Sequence, residues 1–306
     1  MTNEPLITVA LCTRNRAASL ERAVRSVIPQ LDADTRLVIV DNGSTDNTAE
    51  VVAALRRDCF AVHYVREERP GIPVARNRAL VESTGRYVLF FDDDEVVAPD
   101  WVAAYREFLT SRDAERAGCV GGPYFPEHAI PQPAWLEPNY GFFDLHLPRQ
   151  ITPAGKNPVA GNCAYARETV LALGGFAENL PRHEDSELSE RLRRAGHEVW
   201  WLPEARVRHL IPASRFAWRA QWNLWRADGR ATPHLRLTTI SSPTKRRRWL
   251  LLRFFTGTGQ ALLQSFLALG AILIGRRRNA ARLLLRVARN GGLAAECARL
   301  LFGRGI

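Results

Sequence analysis

The last fifth of this 306-residue chain has almost no acid. Residues 245–306 hold 13 of the 42 lysines and arginines but only one of the 32 aspartates and glutamates, Glu296. The first 244 residues are left with 29 bases and 31 acids, so a net charge near −2 stands against +12 in the tail. A nucleic-acid-binding protein carries its basic patch on the folded body, and no nucleic-acid partner is expected here. Paired cysteines are lacking too. Cys12, Cys59, Cys119, Cys163 and Cys297 form no CxxC pair, which argues against a zinc site and against a disulfide framework. Reduced thiols buried in a cytosolic protein are expected instead. The first five residues, Met1 to Pro5, show no basic segment followed by an apolar run, so no secretory signal is expected.

What is present is an alternation of two periods. Residues 6–12, 37–40, 60–65 and 86–91 are short apolar runs that fit buried strands. Between them, residues 17–31, 46–55 and 73–81 place apolar side chains at helical spacing. Asp46 or Thr45 can cap the second helix, and Pro73 sits in the first turn of the third, where a missing N–H costs little. Strand and helix at this spacing predict an α/β fold, a mostly parallel sheet flanked by helices. Ligands of such sheets bind at the carboxyl ends of the strands. Those ends are polar here: Thr13-Arg14-Asn15-Arg16, Asp41-Asn42-Gly43-Ser44-Thr45-Asp46 and Asp92-Asp93-Asp94. Three adjacent carboxylates repel one another, and a divalent cation with oxygen ligands relieves that repulsion. A solvated acidic turn is the other reading, and the triplet alone does not choose between them.

Eight prolines between 122 and 158 mark a long irregular connection, either a functional lid or a rigid insertion. A glycine-bearing turn at 160–162 then leads into a strand at 163–166. A helix at 168–173 stops at Gly174-Gly175. His183-Glu184-Asp185-Ser186 precedes a helix expected at 187–195, and apolar stretches follow at 199–202 and before His209.

In order and spacing these segments resemble family 2 of the inverting nucleotide-sugar glycosyltransferases, which have the GT-A fold. The resemblance rests on Val40-Asp41-Asn42-Gly43-Ser44-Thr45-Asp46, Gly71-Ile72-Pro73-Val74-Ala75-Arg76-Asn77, Phe91-Asp92-Asp93-Asp94-Glu95 and His183-Glu184-Asp185-Ser186-Glu187-Leu188, with Gly161-Asn162 and His209. It covers residues 6–210. It implies that Thr13, Asp41, Arg76, Asp92 and Gly161 bind the nucleotide-sugar donor. In that scheme Asp41 lies at the nucleobase, Asp92 at the ribose and Gly161 beside the sugar. Asp94 and His209 are implied to hold Mg²⁺ or Mn²⁺, and Asp185 to be the general base; Asp93 is assigned no role. The organisation implied is a GT-A domain at 1–210, with a nucleotide-binding half at 1–121 and an acceptor-binding half at 122–210. A connector at 211–244 and a basic helical tail at 245–306 follow.

The tail carries a charge-free stretch at 254–274 bracketed by Lys245–Arg248 and Arg276–Arg278. A single span would put one basic cluster outside, against the positive-inside tendency. The segment 280–302 reads as an interfacial amphipathic helix broken near Gly291-Gly292. We expect a tail lying on an anionic membrane at the cytoplasmic face. A single span and a soluble helical subdomain are the alternatives. In the connector, Gln221-Trp222-Asn223-Leu224-Trp225 lacks the arginine of the QxxRW motif of processive family members, so that acceptor role is not carried over. Trp218, Trp222 and Trp225 either line an acceptor groove or pack at helical spacing. The expected reaction adds one sugar to a lipid-linked or other glycan acceptor in surface polysaccharide assembly. Among rivals, a nucleotidyltransferase needs a glycine-rich loop after the first strand, and Thr13 to Ala17 has no glycine. A glycosidase would use Asp94 and Asp185 as its carboxylate pair, which the nucleotide-type sheet disfavours. An inactive membrane-bound scaffold would bind no nucleotide.

Overall fold

The computed structural model describes residues 5–59, 61–180 and 182–303. Met1 to Glu4, Phe60 at the start of the expected third strand, and Arg304 to Ile306 lie outside the described residues. The first half alternates strand and helix: β1 (Ile7–Thr13), α1 (Ala17–Val27), β2 (Thr35–Asp41), α2 (Thr48–Asp58), β3 (Val62–Arg66), α3 (Ile72–Glu82) and β4 (Tyr87–Asp92). Then come β5 (Glu95–Val97), α4 (Trp101–Leu109), β6 (Ala117–Gly121), β7 (Tyr124–His128), β8 (Gln150–Ile151), β9 (Asn162–Ala166), α5 (Arg167–Ala172), α6 (Glu184–Arg194), β10 (Glu198–Trp201) and β11 (Val207–Ile211). Three long helices close the chain: α7 (Trp218–Thr238), α8 (Pro243–Leu273) and α9 (Arg277–Phe302).

Eight strands form one sheet in the order β3-β2-β1-β4-β9-β6-β10-β8. The pairs β3-β2, β2-β1 and β1-β4 are parallel, as the alternation predicts. β9 enters antiparallel to both β4 and β6, so the sheet as a whole is mixed. The period of two along each strand fills the two faces. Val9, Leu11, Leu37, Ile39, Leu89 and Phe91 pack on one side with α1, α2 and α4. Ala10, Val38, Val40, Val88 and Phe90 pack on the other with α3, α5 and α6. Fully burying a side chain of this size is worth roughly 1.5–3 kcal/mol, so the sheet is a rigid platform for whatever its ends carry. A three-stranded sheet, β5-β11-β7, lies beyond β4 in the chain.

The chain divides into two compact units. One comprises residues 1–127, 141–179 and 184–210, and holds the large sheet. The other comprises residues 128–140, 180–183 and 211–306. In the second unit α7, α8 and α9 pack together, and Arg282 of α9 donates to the carbonyl of Leu136 at 2.8 Å, tying in part of the proline-rich loop.

Two expectations need correction. α9 runs unbroken through Gly291-Gly292. A Cβ on Gly292 would lie 2.4 Å from the carbonyl oxygen of Arg226 on α7, and one on Gly229 of α7 would lie 1.9 Å from the carbonyl oxygen of Arg289. The two glycines are the crossing point of α7 and α9, and the close packing they permit outweighs their poor helix propensity of about 1 kcal/mol each. Leu285, Ala288, Leu293, Ala294 and Cys297 of α9 are buried, so its apolar side is spent inside the bundle. The tryptophans of α7 pack: Trp218 contacts Trp135 at 5.4 Å and Trp222 at 6.2 Å between ring centroids. Gln221 is fully buried and donates to the Tyr140 hydroxyl and the Arg215 carbonyl. Second, α6 begins at Glu184, so Asp185 lies inside its first turn and not ahead of the helix.

Candidate active site

The parallel order of β2, β1 and β4 brings the polar strand ends side by side. In register, Thr13 pairs with Asp41 and Cys12 with Asp92. The Thr13 hydroxyl donates to Asp93 Oδ2 at 2.7 Å. Arg16, just past β1, places Nη1 2.9 Å from Asp93 Oδ1 and 2.6 Å from Asp94 Oδ2. On the strand of the smaller sheet, His209 pairs with Glu95 in register. This sets its Nε2 3.8 Å from Asp94 Oδ2, an electrostatic contact too long for a hydrogen bond.

The carboxylates of the triplet have different environments. Burial pushes Asp93 up to about 6, against the opposing charge of Arg16. Burial acts on Asp94 in the same sense. There the neighbouring His209 imidazole and the Arg16 guanidinium outweigh it, and hold the carboxylate down at about 2. Asp92 faces the other way. Its Oδ1 accepts from Arg76 Nη2 at 3.2 Å, and Arg76 also pairs with Glu184. The Arg76 side chain is 6% exposed and lies 5.8 Å from the Phe176 ring centroid. Desolvation opposes its charge, but Asp92, Glu184 and, more weakly, Asp185 keep it a cation. Burial raises Glu184, with Arg76 opposing.

Gly161 closes this side. A Cβ there would meet Asp92 Oδ2 at 2.5 Å and the Tyr124 hydroxyl at 2.8 Å, so the residue must be glycine for Asp92 to stand where it does. Asn162 anchors that turn: it accepts from Trp101 Nε1 at 2.8 Å and donates to the Ala205 carbonyl at 2.7 Å. Asp185 accepts from the backbone N–H of Ala160 at 3.2 Å through Oδ2, which sets the α6 turn against the same loop. Asp41 is fully buried, and its oxygens accept from the Tyr64 hydroxyl at 2.7 Å and the Ser44 N–H at 2.7 Å. Thr13, Arg76, Asp92, Asp94, Gly161, Asp185 and His209 thus form one connected set. Asp41 joins it through strand register and through Ser44, whose N–H donates to Asp41 and whose Oγ accepts from the Asn15 N–H at 2.9 Å.

Several participants have no role on sequence grounds. Arg16 and Glu184 stand in quoted segments, but only the order of the strands reveals that each faces a carboxylate or its counter-ion. Asn42 is another: its side chain donates to the Arg69 carbonyl and accepts from the Gly71 N–H, both across the turn before α3, which orients Arg76. An Asp-Asn-Gly after a strand gives only a turn signal.

The family model of glycosyl transferase family 2 matches residues 8–170, more than half of the chain. The chain belongs to glycosyl transferase family 2. It is 29% identical over 231 residues to the succinoglycan biosynthesis protein ExoM of Rhizobium meliloti (strain 1021), covering 72% of this chain and 73% of ExoM. It is 36% identical over 114 residues to TuaG of Bacillus subtilis (strain 168), a putative teichuronic acid biosynthesis glycosyltransferase, covering 37% of this chain and 45% of TuaG. Among solved structures it is similar to the mannosyltransferase PcManGT of Pyrobaculum calidifontis, determined with GDP-Man and Mn²⁺. The TM-score is 0.63 at 18% identity, over 99% of this chain and 89% of that one. This likeness gives the family 2 chain the GT-A fold expected from its sequence.

Proposed function

We propose that this glycosyltransferase is metal-dependent and inverting, and moves one sugar from a nucleotide-diphosphate donor to a hydroxyl of a glycan acceptor. The acceptor is lipid-linked and met at the cytoplasmic face of the cell membrane, in polysaccharide assembly. The observation that carries the reading is the meeting of Thr13, Asp41 and the aspartate triplet on three adjacent parallel strand ends, with His209 and Arg76 against the same carboxylates. Similarity to ExoM and TuaG supports the polysaccharide setting.

The donor set suits a divalent ion. Asp94 and His209, an oxygen and a nitrogen donor 3.8 Å apart, are the side chains that would hold such an ion, a sparse protein set of the kind Mg²⁺ takes. When bound, Mg²⁺ or Mn²⁺ supplies Lewis-acid charge against the departing diphosphate. Asp92, fixed by Arg76 and Gly161, faces the donor's ribose, and Asp41 lies beyond it towards the nucleobase. Asp185 takes the proton of the acceptor hydroxyl as that oxygen bonds to the anomeric carbon, opposite the diphosphate. The carbon–oxygen bond to the phosphate breaks, and its electron pair leaves with the nucleoside diphosphate. Asp185 stands in the first turn of α6, and its Oδ2 is held by the Ala160 N–H at 3.2 Å.

The test is nucleoside diphosphate release with Mn²⁺ or Mg²⁺ and a panel of nucleotide sugars, with and without membrane lipid extract. Release should be metal-dependent for one donor. Asp185→Asn should keep donor binding and lose transfer by about 100-fold or more. Neither release nor donor binding anywhere in the panel overturns the reading.

A further inference from the structure

α8 presents two apolar faces of opposite character. Inward, Leu250, Gly257, Ala268 and Ala271 are buried. Gly257 comes close enough to α9 that a Cβ would sit 3.2 Å from the Asn290 carbonyl, and Asn290 donates to Gln264 at 3.0 Å. Outward, Leu252, Phe255, Leu262, Phe266, Leu269 and Leu273 are 55–78% exposed. Their spacing of three, four and seven residues makes one continuous stripe, about 32 Å long at 1.5 Å per residue. A monomeric soluble protein rarely leaves so long an apolar strip in water.

The charge around the stripe identifies its occupant. α8 has no acidic residue in its 31 positions. Lys245 to Arg248 at its start and Arg276 to Arg278 just past its end are all exposed, so a cationic cluster stands at each end of the stripe. Among the described residues no helix is long and apolar enough to cross a membrane, and the inner face of α8 is already covered by α9. We propose that the outer face of α8 docks on an anionic bilayer with the helix axis in the membrane plane. The Phe and Leu stripe then enters the headgroup–acyl boundary while both basic clusters stay at headgroup level. The membrane-contacting element is α8 alone; α9, the amphipathic helix of the sequence pattern, serves as its inner support. Basic clusters of four and three residues at the two ends suit a helix lying flat, whereas a spanning helix would separate them across the bilayer.

The experiment is flotation of the full-length protein with vesicles of phosphatidylglycerol and phosphatidylcholine, compared with phosphatidylcholine alone. Size-exclusion chromatography without lipid accompanies it. Wild type should bind anionic vesicles at least tenfold more tightly than neutral ones, weakening as salt rises. Leu262→Glu/Phe266→Glu should lose at least tenfold in vesicle binding with unchanged circular dichroism and unchanged nucleoside diphosphate release. Arg276→Ser/Arg277→Ser/Arg278→Ser should lose binding to anionic vesicles and gain resistance to salt. Vesicle binding that ignores the two glutamates overturns the proposal. So does a lipid-free dimer that they convert to monomer, since a second copy would then be the occupant. No donor enters the flotation assay, so its failure leaves the transfer reading standing.

Discussion

Arg16 Nη1 lies 2.6 Å from Asp94 Oδ2, the oxygen that also faces His209 at 3.8 Å. One guanidinium therefore stands on the side of the carboxylate to which a divalent ion would bind, while also neutralising Asp93. Because the Arg16 side chain is 43% exposed, it can swing away at modest cost. Arg16→Gln should accordingly strengthen Mn²⁺ binding to the donor-free protein several-fold, read by electron paramagnetic resonance titration of free Mn²⁺. Weaker Mn²⁺ binding in the variant would mean that the arginine organises the carboxylates and does not compete for them.

Gly161→Ala tests the contact between the 160–162 turn and Asp92. The added methyl would lie 2.5 Å from Asp92 Oδ2, so the carboxylate must leave its pairing with Arg76. The methyl would also meet the hydroxyl of the buried Tyr124 at 2.8 Å, so stability should fall by about 1–3 kcal/mol. Donor affinity should drop at least about tenfold, an effect of roughly 1.4 kcal/mol, measurable by calorimetry with the preferred donor.

Gly229→Ala tests the crossing of α7 and α9. A Cβ there meets backbone, the Arg289 carbonyl at 1.9 Å, and no rotamer can relieve it. The variant should lose about 2–3 kcal/mol in denaturant unfolding, the range of overpacked sites. Gly259→Ala on α8, where nothing lies within 4 Å, should be neutral or slightly stabilising.

Glu296 gives the helical unit a pH dependence. Burial raises its carboxyl, but Arg299, His234 and Arg230 prevail and leave it below the ordinary value. A depressed acid contributes stability above its unfolded value, near 4.5, and that contribution fades as pH falls through the lower folded value. Glu296→Gln should cost about 2 kcal/mol at pH 7, less than a fully buried pair because Arg230 and Arg299 are half-exposed. The gap between variant and wild type should stay constant above the ordinary value near 4.5 and narrow as pH falls below it through the lower folded value, in urea titrations followed by circular dichroism.

The strand–helix alternation was legible because each strand is an uninterrupted apolar run, and buried parallel strands are written that way. The polar strand ends were legible for the same reason, since they terminate those runs. Strand order is not written locally. The insertion of β9 between β4 and β6, and with it the approach of Gly161 to Asp92, depends on contacts between residues some 70 positions apart. The pairings of Arg16 with Asp93 and Asp94, and of Arg76 with Glu184, are likewise long-range. Gly291-Gly292 was misleading because helix propensity counts a glycine only as a loss. Its gain appears when a second helix is close enough to need the space. Glu184 and Asp185 read as residues ahead of a helix because acids favour both the cap and the first turn.

The two faces of α8 invert the usual rules of substitution for a helix. From Gly257 to Ala271 the buried positions are small and the large ones point away, so a mutational scan should run backwards along that stretch. Phe266, the bulkiest position of its turn, should accept serine or lysine with no loss of fold. Ala268, two residues on and 1% exposed, should reject leucine. A tolerance map of this helix would separate what the bundle needs to assemble from what the cell needs the bundle to touch.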